Sequence, residues 1–199
     1  MKKGLIAIIV VIVLAVIAGM WYVNTNNLLV DMKGQASKQW ANVESSYQRR
    51  SDLIGNLVKT VQGAADFERG TLTDVIEARA KATSTSIDAN NLTPEKMAAF
   101  QEAQSGLTGA LSKLMVVVER YPELKANQNF LDLQSQLEGT ENRINVERNR
   151  FNDLAGNYNI KIAQIPTNFI AGIANFDAMS LFSSNAGAEN APDVNFDFK

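Results

Sequence analysis

The sequence contains neither histidine nor cysteine, and only four of its 199 residues are proline. Histidine is the usual general base and metal ligand near neutral pH, and cysteine is the usual thiolate nucleophile and zinc or iron–sulfur ligand. Their absence leaves carboxylate, lysine, tyrosine and hydroxyl groups for catalysis. We therefore predict no catalytic residue, no cofactor and no metal ion, and a cysteine-linked lipoprotein is excluded.

Charge is missing from one long stretch near the N-terminus. Residues 5–23 form a run of 19 residues without a charged side chain, and Trp21 and Tyr22 lie close to its C-terminal end. A bilayer-spanning helix needs about 20 apolar residues, and aromatic side chains favour the membrane interface. We therefore predict a transmembrane helix over 5–23. A cleaved signal peptide is the alternative, although the apolar core of a signal peptide usually has about 7–15 residues.

Basic residues on the two sides of this span predict its orientation. Lys2 and Lys3 precede it, whereas Asp31, Lys33 and Lys38 nearly cancel after it. Because positive charge is retained on the cytoplasmic side, residues 1–4 are expected in the cytoplasm. The localisation predicted is a single-pass membrane protein whose remaining chain is periplasmic or otherwise extracytoplasmic.

An excess of basic residues is also absent beyond the span. That part has 17 basic and 21 acidic residues, a net charge of −4. Phosphate binding needs a basic face, so no nucleic-acid partner is expected. The expected partners are the lipid bilayer and a protein of the membrane or envelope, and homo-oligomer formation stays open.

Apolar residues beyond the span recur with helical periodicity. The first helix is predicted over 27–84 and the second from Thr93-Pro94 to about residue 121, with a hydroxyl cap and a proline in its first turn. The third helix is predicted over 122–165. Residues spaced by seven form an apolar stripe on the first helix and another on the third, and we expect the third helix to bury its stripe in an antiparallel bundle with the first and second helices. The stripe of the first helix consists of Trp40, Tyr47, Ile54 and Val61, and that of the third of Phe130, Leu137, Ile144, Phe151, Tyr158 and Ile165.

These patterns predict an all-α protein. The N-terminal transmembrane helix is followed by a long antiparallel bundle of three to four helices over 24–175. Residues 176–199 are rich in Ser, Asn, Ala and Gly and form a partly flexible C-terminal tail. Within it, Val194, Phe196 and Phe198 alternate with polar residues, so this stretch either docks on the bundle or frays.

Charged residues are the remaining candidates for a site. Glu138 and Glu141 lie three residues apart on one helical face, where two carboxylates can bind a hard cation or hydrolyse a glycosidic bond. The interpretation we favour is that the charges pair between helices and fix their register. The structural or interaction candidates are Arg49, Arg50, Asp52, Glu68, Arg79, Glu119, Glu138, Glu141 and Arg143.

Several of these residues belong to motifs that extend over nearly the whole chain. Sequence runs that carry the pattern begin at Arg49 (RRSDLI), Glu119 (ERYPELKAN), Leu137 (LEGTENRI), Arg150 (RFN) and Pro192 (PDVNF). With them, the sequence resembles the LemA family of bacterial membrane-anchored helical proteins. The resemblance implies a long antiparallel helical fold behind one membrane span, and magnetosome-associated relatives imply membrane organisation. It implies no settled enzymatic activity.

Three functions are compatible with these features. The favoured prediction is a non-enzymatic, membrane-anchored helical scaffold or interaction module of the cell envelope. The first alternative is a sensor-like module that passes changes of helix packing through the membrane, although only about four residues would lie in the cytoplasm. The second alternative is a carboxylate-dependent hydrolase that uses Glu138 and Glu141.

Overall fold

Six α-helices make up most of the part of the chain that the computed structural model describes, which is residues 2–63, 69–89 and 91–183. In order, they are α1 (Lys2–Gln62), α2 (Arg69–Ser84), α3 (Pro94–Val118), α4 (Pro122–Lys125), α5 (Gln128–Ala163) and α6 (Thr167–Ile173). The predicted all-α fold with an N-terminal apolar helix is confirmed.

Helix α1 carries both the predicted span and one wall of the bundle. It continues without a break for 61 residues, about 90 Å at 1.5 Å per residue. Its most apolar 18-residue window has a mean hydropathy of 2.9, and 0% of that window is buried by the rest of the chain. By length and composition, this end of α1 fits a membrane anchor.

The bundle consists of two closely packed helix pairs. Helix α1 packs along α5, and α2 packs along α3. The first pair is antiparallel, because Gln39 bonds to Glu147 whereas Arg50, further along α1, bonds to the earlier residue Glu141. Helices α1 and α2 also pack together, which joins the two pairs.

The seven-residue patterns mark the buried faces of α1 and α5. All four pattern residues of α1 are buried, and so are the first five of α5. Ile165 is 80% exposed, so its predicted place in the core is wrong. The physical reason is that α5 ends at Ala163, and a residue beyond the helix end no longer follows its periodicity.

Two predicted helices are divided in the structure. The first predicted helix ends at Gln62 instead of continuing to residue 84, and α2 begins at Arg69. Gly63 and Gly70 lie next to this break, and each glycine lowers helix propensity by about 1 kcal/mol relative to alanine. The third is divided into α4 and α5 because the Asn127 side chain accepts a hydrogen bond from Phe130 N at 3.2 Å and caps a new helix.

Part of the predicted flexible tail is packed against the bundle. Residues 176–183, here called the docked segment, have no helical structure, and the side chains of Met179 and Phe182 are buried among bundle residues. Residues 184–199 lie outside the described residues. The proposal that Val194, Phe196 and Phe198 dock therefore stays a prediction.

Candidate functional site

A polar layer divides the core of the bundle into two apolar clusters. The proximal cluster, nearer the span, is centred on Trp40, Phe100 and Phe151. The distal cluster is centred on Ile54, Leu107, Leu114 and Leu137. Between them, α1, α3 and α5 each contribute one polar side chain. These are Arg50, Gln104 and Glu141, here called the Arg50 layer.

The Arg50 guanidinium connects the three helices. Its Nη1 donates to Glu141 Oε2 at 2.7 Å, and its Nη2 donates to Gln104 Oε1 at 2.5 Å. The guanidinium carbon also lies 5.0 Å from the centre of the Tyr47 ring, a cation–π arrangement. Gln104 in turn donates to the carbonyl of Ala82 at 3.3 Å, so the end of α2 joins the same network.

Burial of the layer is uneven. The Arg50 side chain is 6% exposed and the Glu141 side chain 45% exposed. The Nε atom of Arg50 is buried, and no partner for it is found among the described residues. Burial raises the pKa of the neighbouring Tyr47, although the positive charges of Arg148 and Arg50 act in the opposite direction. Arg50 is thus a buried cation that depends on Glu141 and Gln104 for compensation.

Beside the layer, a groove of about 280 Å³ opens between α3 and α5. We call it the distal groove. Its apolar lining comes from α1, α3 and α5, and its polar lining includes Glu138 and Glu141. The apolar residues are Ile54, Leu107, Leu111, Met115 and Leu137, and the polar ones are Arg50, Thr108, Ser112, Gln134, Glu138 and Glu141.

The predicted charges fall into separate places. Arg50 and Glu141 form the layer, and Glu138 lies on the wall of the distal groove, where it accepts from Gln134 at 3.2 Å. Arg49 and Arg143 line a polar groove between α1 and α5, on the exposed side of both helices.

The remaining predicted charges among the described residues lie neither in the Arg50 layer nor in the two grooves. Arg79 donates from Nε to the carbonyl of Ser51 at 2.7 Å and lies 4.0 Å from Asp52. Glu119 forms an exposed ion pair with Lys125. Glu68 lies outside the described residues. Within the described part of the chain, no three carboxylates are grouped closely enough to hold a metal ion.

Glu147 is a buried charged residue that was not among the site residues predicted from the sequence. Its Oε2 accepts from Gln39 Nε2 at 2.6 Å, and its Oε1 lies 3.8 Å from both Arg143 and Arg150. A usable signal was present, because Glu147 interrupts the apolar positions of the α5 repeat. A carboxylate at such a position needs a partner from the facing helix.

Two asparagines of α5 hold the docked segment, and these too were not predicted as functional residues. Asn152 donates to the carbonyl of Phe182 and accepts from its amide, each at 2.9 Å. Asn159 does the same with Met179, at 2.8 and 2.9 Å. Their spacing of seven places both on the same side of α5, where each is half-buried. Together we call them the asparagine clamp.

Additional contacts secure the same segment. The Tyr158 hydroxyl donates to the carbonyl of Asp177 at 3.0 Å, and Ser180 N donates to the carbonyl of Leu92 at 3.2 Å. The Arg148 guanidinium lies 4.5 Å from the Phe182 ring centre. The bundle thus holds an extended piece of chain by its backbone, as peptide-binding proteins do.

Comparisons with known proteins identify several relatives of this chain. Magnetosome protein MamQ of Magnetospirillum gryphiswaldense is 28% identical over 177 residues, which covers 78% of this chain and 64% of that protein. Magnetosome protein MamQ 2 of Paramagnetospirillum magneticum is 27% identical over 184 residues, covering 82% and 66%. The chain therefore spans slightly less than two thirds of these two relatives.

A third relative and a family model connect the chain with LemA proteins. Protein LemA of Metamycoplasma hominis is 23% identical over 164 residues, covering 82% of this chain and 71% of that protein. The sequence model of the LemA family matches residues 39–196, a range that includes the Arg50 layer, the distal groove and the asparagine clamp. Because this match covers most of the 199 residues, the chain belongs to the LemA family.

Proposed function

We propose that this protein is a non-enzymatic, single-pass scaffold of the cell envelope that binds a protein partner in the distal groove. The groove is the observation that carries the proposal. It partly exposes the side chains of Leu111 and Met115, which lie between two helices of the bundle. A partly open apolar groove on a rigid support is a common protein-binding surface.

The lining of the groove indicates the chemistry of the partner. Residues 107–115 of α3 line it over about 12 Å, or roughly two helical turns. The groove has apolar side chains along its length and the carboxylates of Glu138 and Glu141 on the α5 side. A short amphipathic helix with a basic residue at its edge fits this combination of shape and charge.

The charged network supports a structural role over a catalytic one. Glu141, one of the two carboxylates of the hydrolase alternative, is engaged by Arg50 at 2.7 Å. The names of two relatives place them with magnetosomes, which agrees with a role in membrane organisation. A combined Glu138→Gln and Glu141→Gln variant that retained every assayed function would remove the hydrolase alternative.

Site-specific photocrosslinking tests the proposed partner site. Benzoylphenylalanine is placed at Met115, which lines the groove, and separately at Val116, which is 71% exposed outside the groove on the same helix. After irradiation of native membranes, the Met115 probe is expected to give a discrete adduct that mass spectrometry identifies, and the Val116 probe is not. Equal adducts, or none at Met115, would contradict the proposal.

Charge reversal tests the chemistry of the partner. In the Met115 probe background, Glu138→Lys is expected to lower the adduct yield several-fold, since an exposed charge pair contributes about 0.2–1 kcal/mol and the reversed charge also repels a basic partner. Asp153→Lys, an exposed reversal on the same helix outside the groove, is the control and should leave the yield unchanged. An adduct consisting of a second copy would identify the partner as the chain itself.

One observation also favours the sensor-like alternative. Helix α1 continues unbroken from Lys2 to Ile54, which lines the groove, so binding in the groove and the span share one rigid element. The test is a crosslinking probe at Lys3, compared with and without Glu138→Lys. A sensor requires the Lys3 adducts to change when the groove is impaired, whereas a plain scaffold leaves them constant.

A further inference from the structure

The end of the bundle nearest the span carries a second exposed apolar surface. Ile165, Phe169 and Ile173 are 80%, 65% and 72% exposed and follow one another at intervals of four. Four-residue spacing places Phe169 and Ile173 on one side of α6, and the intervening residues Ile170 and Ala171 are buried against the bundle. We call Ile165, Phe169 and Ile173 the apolar foot.

The register of α1 and α5 shows where this surface lies. The rings of Trp40 and Phe151 are 5.3 Å apart, so they mark one level of the antiparallel pair. Twelve residues further along, α5 ends at Ala163, which is therefore level with about residue 28 of α1. That level is only about 8 Å beyond residue 23, the end of the predicted span.

Helix α6 follows α5 at this end of the bundle. It packs against both α1 and α5. The first two buried residues of α1 are Thr25 and Leu29, which are 8% and 0% exposed. Since α5 ends level with residue 28, the segment that follows α5 is placed to cover these two side chains, directly beside the end of the span.

The composition of this segment matches the membrane interface. Residues 162–176 contain no charged side chain. Trp21 and Tyr22 are 41% and 39% exposed on the neighbouring stretch of α1. Apolar side chains of an interfacial helix enter the headgroup and acyl boundary by about 5–10 Å, which is comparable with the distance from the foot to the span.

We propose that the apolar foot is a second membrane contact, seated in the interface of the same leaflet that the span leaves. This inference rests on the proposed anchoring of α1. Because the foot lies next to the span, we assign lipid as its contact in preference to a second copy of the chain or another protein. A foot in the interface fixes the tilt of the bundle and prevents its rotation about α1, so it sets the direction in which the distal groove faces.

Spin labelling of the full-length chain in phospholipid nanodiscs tests the foot. Because the sequence has no cysteine, Phe169→Cys and Ile173→Cys each provide one unique nitroxide site. Val13→Cys is the reference within the span, and Val116→Cys is the matched exposed apolar control at the far end of α3. Power saturation compares collision with oxygen, which concentrates in lipid, and with a nickel chelate, which stays in water.

The Phe169 and Ile173 labels are expected to give an oxygen-to-nickel ratio several times that of Val116 and below that of Val13. Two labels on the foot guard against a local disturbance by either substitution.

A ratio at Phe169 and Ile173 equal to that of Val116, with Val13 in lipid, would overturn the proposed membrane contact of the foot and leave the anchor intact. A water-like ratio at Val13 would overturn both. Dipolar broadening at Phe169 that disappears on dilution with unlabelled protein would identify a second copy as occupant and overturn the lipid assignment.

Discussion

Arg50 and Glu141 share one ion pair but differ in exposure, 6% against 45% for the side chains. Removing the carboxylate leaves a buried cation without its counterion, whereas removing the guanidinium leaves a carboxylate that water can reach. A fully buried pair loses about 3–5 kcal/mol when one partner is deleted, and partial exposure lowers that figure. We therefore expect Glu141→Gln to cost about 2 kcal/mol and Arg50→Met about 1 kcal/mol of bundle stability.

Trp40 provides the measurement, since it is fully buried in the proximal cluster and only Trp21 accompanies it. In a Trp21→Phe background, urea unfolding in mild detergent is followed by Trp40 fluorescence. Asp153→Asn, an exposed carboxylate on the same helix, is the control and should change the unfolding free energy by less than about 0.5 kcal/mol. A larger cost for Arg50→Met than for Glu141→Gln would contradict the assignment.

Tyr158 makes the stability of the bundle depend on alkaline pH. Burial raises the pKa of Tyr158 from its ordinary 10.0 to about 12, and the negative charge of Asp177 adds to the shift. The folded state thus retains the phenolic proton that the unfolded state releases. Its stabilising contribution is complete below pH 10 and is lost as the pH rises from 10 to about 12.

Tyr158→Phe removes this dependence together with the hydrogen bond to Asp177. At pH 8 the variant is expected to be less stable by about 1 kcal/mol, the typical net value of a hydrogen bond. That deficit should shrink at pH 11, because only the wild type loses stability through this group. Unfolding free energies at both pH values provide the check, and parallel pH profiles would show that Tyr158 does not titrate as proposed.

At this scale, sequence reasoning predicted charges but not their partners. Arg50, Glu138 and Glu141 were selected by type and spacing, and the structure places them in or beside the polar layer. Gln104 was missed because it is an uncharged residue on another helix, and only the packing of α3 brings it to Arg50. Glu119 was selected although it lies away from the layer and pairs with Lys125, because a sequence contains no measure of the distance between helices.

At the scale of the elements, attachment of the docked segment to the bundle depends on a few polar contacts. The asparagine clamp contributes four hydrogen bonds, two from Asn152 and two from Asn159. Each hydrogen bond contributes about 0.5–1.5 kcal/mol, so loss of all four should make the segment detach more often. Apolar contacts of Met179 and Phe182 should still hold it part of the time. The Asn152→Ala and Asn159→Ala double variant is expected to lower amide protection in residues 177–183 by at least tenfold.

Hydrogen exchange with mass spectrometry measures this change directly. Asn157→Ala is the matched control, because Asn157 is an exposed asparagine between the two clamp residues. It should leave the protection of residues 177–183 unchanged. Unaltered protection in the double variant would contradict the prediction and mean that apolar burial and the bonds from Tyr158 and to Leu92 are sufficient to hold the segment.

Two glycines of α1 differ in their surroundings and allow a paired test. A Cβ added at Gly34 would meet no atom within 4 Å apart from its chain neighbours and the adjacent backbone of its own helix. A Cβ added at Gly55 would lie 3.3 Å from Cζ of Arg79. Alanine is favoured over glycine in a helix by about 1 kcal/mol. Gly34→Ala should therefore stabilise the bundle by up to about 1 kcal/mol.

Gly55→Ala should gain less than Gly34→Ala, because the Arg79 guanidinium must move while it donates to the carbonyl of Ser51. Thermal unfolding by circular dichroism at 222 nm compares the two variants with the wild type. An equal gain at both positions would show that Arg79 adapts at no cost and that α2 approaches α1 loosely there.

The lengths of the elements could be predicted from the sequence only where a cap or a proline marks them. Thr93 and Pro94 predicted the start of α3, and the Thr93 hydroxyl accepts from Lys96 N as expected. The division of the third predicted helix at Asn127 was not predicted, because an asparagine cap leaves the apolar repeat intact. The docked segment has no periodic pattern, so its position depends on the clamp and could not be predicted from composition.

For the whole molecule, the positive-inside rule predicts the direction of insertion. Lys2 and Lys3 lie before the span, so we expect them in the cytoplasm and the bundle outside. A membrane-impermeant maleimide should therefore label Val116→Cys from the outer face of the cytoplasmic membrane in spheroplasts. Lys3→Cys should be labelled only after lysis, and the absence of native cysteine makes both readouts specific.

Because two lysines supply most of the charge difference, the orientation should be sensitive to them. In the Val116→Cys background, Lys2→Glu combined with Lys3→Glu is expected to lower outside labelling by at least half, as part of the population inserts in the opposite direction. Lys33→Glu with Lys38→Glu, placed after the span, carries the same charge change and should retain full labelling. If Val116→Cys of the unaltered chain is protected in spheroplasts and labelled after lysis, the bundle is cytoplasmic and the distal groove faces partners inside the cell.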